Sequence, residues 1–239
     1  MNPLLAEAII AHGTLARWKE FDRLSATIVT GGEFWGLKGI VLDAEPRRAT
    51  VDLHLERSSL EPFGHAGWHS EFAPDRVAIV DQQGETVAVR HDPRSAFADH
   101  VLTTPWDPLH RAYFNGYALW TYLTTPFVLA EPGFLFAELP ALSEEGEIWR
   151  GLRAIFPDRL ATHSRRQDFY FGPDGLLRRH DYQLDVAGGF AAAHFVSEFV
   201  EVEGLRFPTR RRAYRRGGNR RPEFDHLMVS IDLSAFTFG

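Results

Sequence analysis

Asp168-Phe169-Tyr170-Phe171-Gly172-Pro173-Asp174-Gly175-Leu176-Leu177-Arg178-Arg179 is the stretch on which the reading of this chain turns. An aromatic run stops at Gly172-Pro173-Asp174-Gly175, where proline presets one backbone angle and glycine supplies a positive one. An alternating run then resumes. Two strands and a tight turn are the reading. Upstream, residues 161–171 place His163, Gln167, Phe169 and Phe171 on one parity. Downstream, residues 176–186 place His180, Tyr182, Leu184 and Val186 on one face and Arg179, Asp181, Gln183 and Asp185 on the other.

Outward from this hairpin the same pattern recurs. Residues 148–155 alternate before it. After it, Gly188-Gly189 leads into 190–202, Glu203-Gly204 into 205–216, and Gly217-Gly218-Asn219 into a last strand carrying Leu227, Val229, Ile231 and Leu233. The first half repeats the signal in shorter runs at 25–30, 37–42, 49–56, 68–72, 76–80 and 86–91, with Gln82-Gln83-Gly84 as a hairpin turn. Leu4, Ala8, Ala11, Leu15 and Trp18 form a helical stripe, which predicts an N-terminal helix over 3–22. Residues 93–140 break the alternation and read as a helical or irregular aromatic insert. The fold class is therefore mainly β with helices (α+β), a curved antiparallel sheet or incomplete barrel, in a single domain over 1–239.

The later landmarks Phe199-Val200-Glu201-Val202-Glu203-Gly204-Leu205-Arg206-Phe207-Pro208 and Asp232-Leu233-Ser234-Ala235-Phe236-Thr237-Phe238, taken with the hairpin, resemble the strand signatures of LolA/LolB-like proteins. The resemblance spans 147–238, and the first half follows by element order. It implies a half-open barrel around an apolar cavity with helices as a lid. It also implies carriage of lipoprotein acyl chains or other lipids without chemistry.

Composition bounds the function. With 44% hydrophobic and 24% charged residues the chain is globular. The absence of cysteine excludes disulfides, thiolate nucleophiles and Cys-based metal sites. A net charge of −6 argues against a general nucleic-acid partner. No nucleotide-loop, hydrolase-elbow or zinc-protease motif occurs, and no cofactor is expected. The first twelve residues lack a basic region and a long apolar core, so a cytoplasmic location is expected. From Ala112 to Ala130 no residue is charged, yet Asn115, Gly116, Pro126 and several threonines interrupt the stretch. It reads as an aromatic helix over a cavity, with Tyr113, Tyr117, Trp120 and Thr124 on one face, and not as a membrane span.

Aromatic residues make up 13% of the chain, more than a plain core needs, which points to a thick β core, an interface or an apolar ligand cavity. Trp68, Phe72, Tyr113, Tyr117, Trp120, Phe169 and Phe171 are the expected lining. Eight arginines fall between Arg206 and Arg221. Arg210 and Arg212 share one parity and are the candidates to hold a ligand's polar head, while Arg211 and Arg215 point the other way. His163, His180 and His194 sit on successive predicted strands, beside Asp181 and Tyr182, and are candidates for proton transfer. His65 and His69 have a metal-like spacing, but the glycines around them oppose a helix there. The leading expectation is a soluble carrier of an apolar or amphipathic small molecule. The alternative is an isomerase, cyclase or lyase using the same cavity. A third reading makes the aromatics of 113–136 a dimer interface. Ligand identity and oligomeric state stay open.

Overall fold

The alternating runs resolve into one antiparallel sheet. The computed structural model describes residues 1–41, 45–144, 146–218 and 220–239. Its first meander comprises β1 (Arg23–Gly31), β2 (Arg47–Asp52), β3 (Ser58–Glu61), β4 (His69–Ala73), β5 (Arg76–Val80) and β6 (Thr86–His91). The second comprises β7 (Leu135–Glu144), β8 (Glu147–Ile155), β9 (Arg166–Phe171), β10 (Leu177–Leu184), β11 (Phe190–Val202), β12 (Leu205–Arg216) and β13 (Pro222–Phe238). Strands neighbour one another in the order β6-β5-β4-β3-β2-β1-β13-β12-β11-β10-β9-β8-β7. The pairing of β1 with β13 therefore joins the two meanders, and β6 and β7 remain the edges of a sheet that does not close.

Four α-helices accompany the described strands: α1 (Pro3–Ala11), α2 (Leu15–Trp18), α3 (Glu33–Leu37) and α4 (Pro108–Thr124). The helix expected over 3–22 is thus two shorter ones. Asn2 caps α1 by accepting from the Leu5 amide, and Pro3 supplies the fixed φ of the first turn. The break comes at Gly13, whose φ is +117° and whose added Cβ would lie 2.1 Å from the Gly204 carbonyl oxygen. A side chain has no place there, so the chain turns away from the helix axis.

Three other expectations change. Leu37 closes α3 instead of opening a strand, because Phe34 and Trp35 are buried and Ile40 bonds back to the Trp35 carbonyl; residue 42 of that expected strand, with 43 and 44 after it, lies outside the described residues. The strand over 49–56 stops at Asp52, whose carboxylate accepts from the His54 and Leu55 amides and turns the chain. Leu55 is then exposed and Glu56 buried, the reverse of the alternation. Finally, the insert expected over 93–140 ends early, since β7 begins at Leu135. Asn219 of the last hairpin turn lies outside the described residues.

Helix α4 lies inside the curl of the sheet. Its start is fixed by Asp107, which accepts from the His110 amide at 2.8 Å while His110 Nδ1 accepts from the Asp107 amide at 3.2 Å. Every residue from Ala112 to Thr124 is buried. A helix buried on all sides has no solvent stripe, which explains its uncharged sequence without a membrane. No helix among the described residues is long and apolar enough to cross one.

Candidate functional site

The two sides of α4 are held differently. Toward β2–β5 the helix lies directly on the sheet: Ser58 Oγ donates to the Gly116 carbonyl at 3.0 Å, and the Trp120 side chain donates through Nε1 to the Asp52 carbonyl at 2.8 Å. A Cβ on Gly116 would lie 2.2 Å from Phe72 Cγ, so only glycine allows this approach. On the other side, long polar side chains bridge the helix to β9–β12. They form the candidate site.

Strand register builds the sheet wall of that site. Leu152, Phe169, His180, His194 and Ala213 are successive cross-strand partners from β8 to β12 and share one face. Tyr182 follows two residues after His180 on the same face. His163 arrives from the segment preceding β9 and not from a strand, held where its carbonyl accepts from the Asp185 amide at 3.0 Å. From α4, Tyr122 Oη lies 2.7 Å from His163 Nε2 and 3.0 Å from Tyr182 Oη. The His163 and Tyr182 rings stack at 4.0 Å, and His180 stacks on Phe169 at 4.3 Å. Gln167 donates to Thr162 and to the Ser164 carbonyl, so its Oε1 accepts from His180 Nε2 at 2.5 Å.

Burial sets the charge state here. It holds His163, His180 and His194 well below the ordinary imidazole range and Tyr117 and Tyr182 well above the ordinary phenol range, so all are neutral near pH 7. Arg211 enters the same space from β12. Its Nη2 donates to the Tyr122 carbonyl at 2.6 Å, and its guanidinium lies 5.0 Å from the Tyr122 ring centroid. Burial lowers it to about 10, which leaves it protonated. Tyr117 Oη, Thr121 Oγ1, His163 Nδ1, His194 Nδ1 and Arg211 Nε are buried without a hydrogen-bond partner. Each such group costs about 1–3 kcal/mol.

Of the proton-transfer candidates, His163, His180, Tyr182 and His194 are brought together. Asp181 is not. It sits on the opposite face of β10, paired with Arg179 at 2.6 Å and Arg216 at 3.3 Å, because adjacent strand residues point to opposite faces. Tyr113, Tyr117, Trp120, Phe72, Phe169 and Phe171 are buried in the interior, while Trp68 is half-buried with its ring 4.4 Å from that of His65. Arg210 and Arg212 face outward and pair with Glu198 at 2.5 Å and Asp232 at 2.7 Å. The inward parity carries Arg211 instead. Among the described residues no group of three or more His, Asp or Glu is placed to hold a metal ion, and His69 lies 3.7 Å from Glu71. The aromatics of α4 are interior, so the dimer-interface reading loses its surface.

The concavity is filled in this conformation. Tyr117, His163, Gln167 and Phe169 have no exposure and leave no water-sized room beside them. Open space lies at the rim, in a cleft of about 300 Å³ beside Trp18, Glu56, Trp120, Phe127 and Leu160. A second cleft, of about 290 Å³, lies beside Arg94, Tyr113, Phe156 and Asp185. The residues that sequence reasoning passed over are Tyr122, Tyr117's hydroxyl as a polar group, Gln167 and Arg211.

No protein-family model and no curated protein matches the chain. Solved structures do. A putative outer membrane lipoprotein-sorting protein domain from Vibrio parahaemolyticus superposes with a TM-score of 0.56 at 11% identity, over 98% of this chain and 91% of that one. A DUF1329 family protein from Desulfovibrio piger gives 0.55 at 12% identity, over 100% and 94%. A LolA superfamily protein from Nitrosomonas europaea gives 0.52 at 11% identity, over 98% and 92%. The fold of this chain is the LolA-like one: a curved, unclosed antiparallel sheet with a helical lid.

Proposed function

We propose that the protein carries an apolar or amphipathic small molecule within the curled sheet, in space that α4 occupies when no ligand is bound. The observation that carries this reading is the helix itself. It is buried on all sides, packs its Gly116 backbone directly onto Phe72 on one side, and on the other is bridged to the sheet by long side chains among polar atoms that have no partner. A helix that only completed a core would be expected to meet apolar surface all round. The fold supports the reading as well, since one protein of similar fold is described as lipoprotein-sorting. The rim cleft beside Trp18, Trp120 and Phe127, lined also by Glu56, Arg57 and Arg159, gives a ligand a mixed apolar and charged place to meet the end of α4.

Native mass spectrometry of protein purified from its own host, with titration of an apolar fluorescent probe, tests the proposal. A lipid-like adduct, or saturable probe binding displaced by host lipid extract, is expected. Absence of both sinks it.

A second reading is favoured by one observation, the Tyr182–Tyr122–His163 hydrogen-bonded chain. Such a chain can relay a proton, and a neutral imidazole at its end is a base awaiting a substrate. This version makes the protein an isomerase, cyclase or lyase on an apolar metabolite. It requires that a bound compound be recovered chemically altered, whereas the carrier returns it unchanged.

A further inference from the structure

Arg179 and Arg211 bury their guanidinium groups almost wholly on opposite faces of the sheet, and they are treated differently. Arg179, on the outer face, is held by Asp181 at 2.6 and 2.9 Å and by Glu144 at 3.0 Å. Arg211, on the inner face, has one carbonyl oxygen, that of Tyr122, and an unpartnered Nε. Among the described residues no carboxylate pairs with it; the groups that bear on its charge are the hydroxyls of Tyr122 and Tyr182. A buried cation normally comes with a counter-ion, because desolvation without one is expensive.

The neighbourhood has the complementary bias. His163 Nδ1, His194 Nδ1, Tyr117 Oη and Thr121 Oγ1 are also unpartnered, and each belongs to a group able to present a hydrogen-bond donor. Around them stand apolar walls: Phe114 beside His163, Phe169 stacked on His180, and Val196 directly across the strand pair from Arg211. Donors and one cation surrounded by hydrocarbon are the features of a seat for an anionic head with an apolar tail.

We infer that the ligand is an amphipathic carboxylate of the fatty-acid kind, its head ion-paired to Arg211 among His163, His194 and Tyr122, its tail along the inner face of β8–β11. This rests on the carrier reading above. It differs from that reading in requiring a negative charge on the cargo.

The test uses the full chain and a matched pair of probes, oleate and uncharged oleyl alcohol, each displacing an apolar fluorophore. Oleate is expected to bind at least about tenfold more tightly, and Arg211→Met to abolish that preference while leaving the alcohol's affinity in place. A second variant guards against failure of the first to fold. Val196→Asp sets a carboxylate opposite Arg211 and is expected to remove the preference by filling the seat. Equal affinity for the two probes in the unmodified protein overturns the inference and leaves carriage standing. A preference that survives in Arg211→Met, or in Val196→Asp, overturns the assignment to Arg211. Failure of both probes to bind removes carriage and this inference together.

Discussion

Acidification across the range from about pH 6 to about pH 5 is expected to destabilise the fold steeply, and the amount follows from the buried imidazoles. Burial holds His163, His180 and His194 well below the ordinary value, and lowers His12, whose Nδ1 donates to the Ala8 carbonyl at 2.7 Å, to about 4. In the unfolded chain an imidazole titrates near 6.5. Below that pH the unfolded state takes up protons that the folded state refuses. The stability in question is therefore present above the unfolded value and is lost as pH falls through it. Near the middle of the window the unfolded imidazoles are roughly nine-tenths protonated, so these groups together give a difference of about 3.5 protons. Glu56 acts in the opposite sense. Burial raises it to about 8, so the folded state keeps a proton that the unfolded state releases, and the difference shrinks by about one proton. At about 1.4 kcal/mol per proton per pH unit, the net loss is about 3–4 kcal/mol. That is a large share of the roughly 5–15 kcal/mol that holds a domain together. Urea titrations followed by tryptophan fluorescence at pH 7, 6 and 5 give the measurement. Unfolding free energy that stays level or rises from pH 6 to pH 5 refutes the claim that these imidazoles are buried and neutral.

Gly116→Ala forces a methyl group onto Phe72 where only 2.2 Å is available, and overpacking of this kind costs about 1–3 kcal/mol. A lowered melting temperature is expected together with weaker apolar-probe binding, because the helix is pushed off the β4 wall toward the β8–β12 side that the ligand would occupy; a lowered melting temperature without any change in probe binding argues against α4 as a movable lid. Asp181→Asn leaves Arg179 and Arg216 on the outer face without their shared carboxylate, and breaking a buried pair costs about 3–5 kcal/mol. Stability measured by thermal melting should fall while probe affinity per folded molecule is unchanged, and altered affinity would place Asp181 in the site after all.

Much of the second meander was legible because its turns carry glycine at the positions that need it and its strands alternate cleanly. β11 and β12 fall on the expected residues. The same alternation already separated Asp181 from His180 and Tyr182, since neighbours along a strand point apart; grouping them as one acid–base set followed sequence adjacency instead of facing. The inward arginine was also available. Leu205, Phe207 and Ala213 share the parity of Arg211 and are all buried, whereas Arg210 and Arg212 share theirs with exposed Arg206. Helix α4 was less legible for a physical reason. Choosing the face of Tyr113, Tyr117, Trp120 and Thr124 presumes that the opposite face meets water. With the helix buried on every side there is no such face, and Tyr122, which joins His163 to Tyr182, falls off the chosen stripe. The strand expected over 49–56 failed because an aspartate carboxylate can end a strand by capping the two amides beyond it, a local contest that alternation does not record.

The aromatic surplus takes on a specific meaning once α4 is placed. Rings fill the space around the helix: Phe72 against Tyr113 and Tyr117 against His163, with Trp18 stacked on Phe127 at 4.4 Å beyond its end. Rings alone would make a sound core. What sets this interior apart is that polar groups gather on the side of α4 that long side chains bridge to β10 and β12, and that several of them have nothing to bond to. Opening that side would break the bonds of Tyr122 to His163, Tyr182 and Arg211, but it would let water or a ligand meet Tyr117, Thr121, His163, His194 and Arg211, so its cost is offset by the groups the closed state leaves unsatisfied. On the anchored side, Gly116 against Phe72 and the Ser58 and Trp120 hydrogen bonds give no such return. The helix should therefore swing from the β2–β5 wall as from a hinge, exposing β8–β12 first.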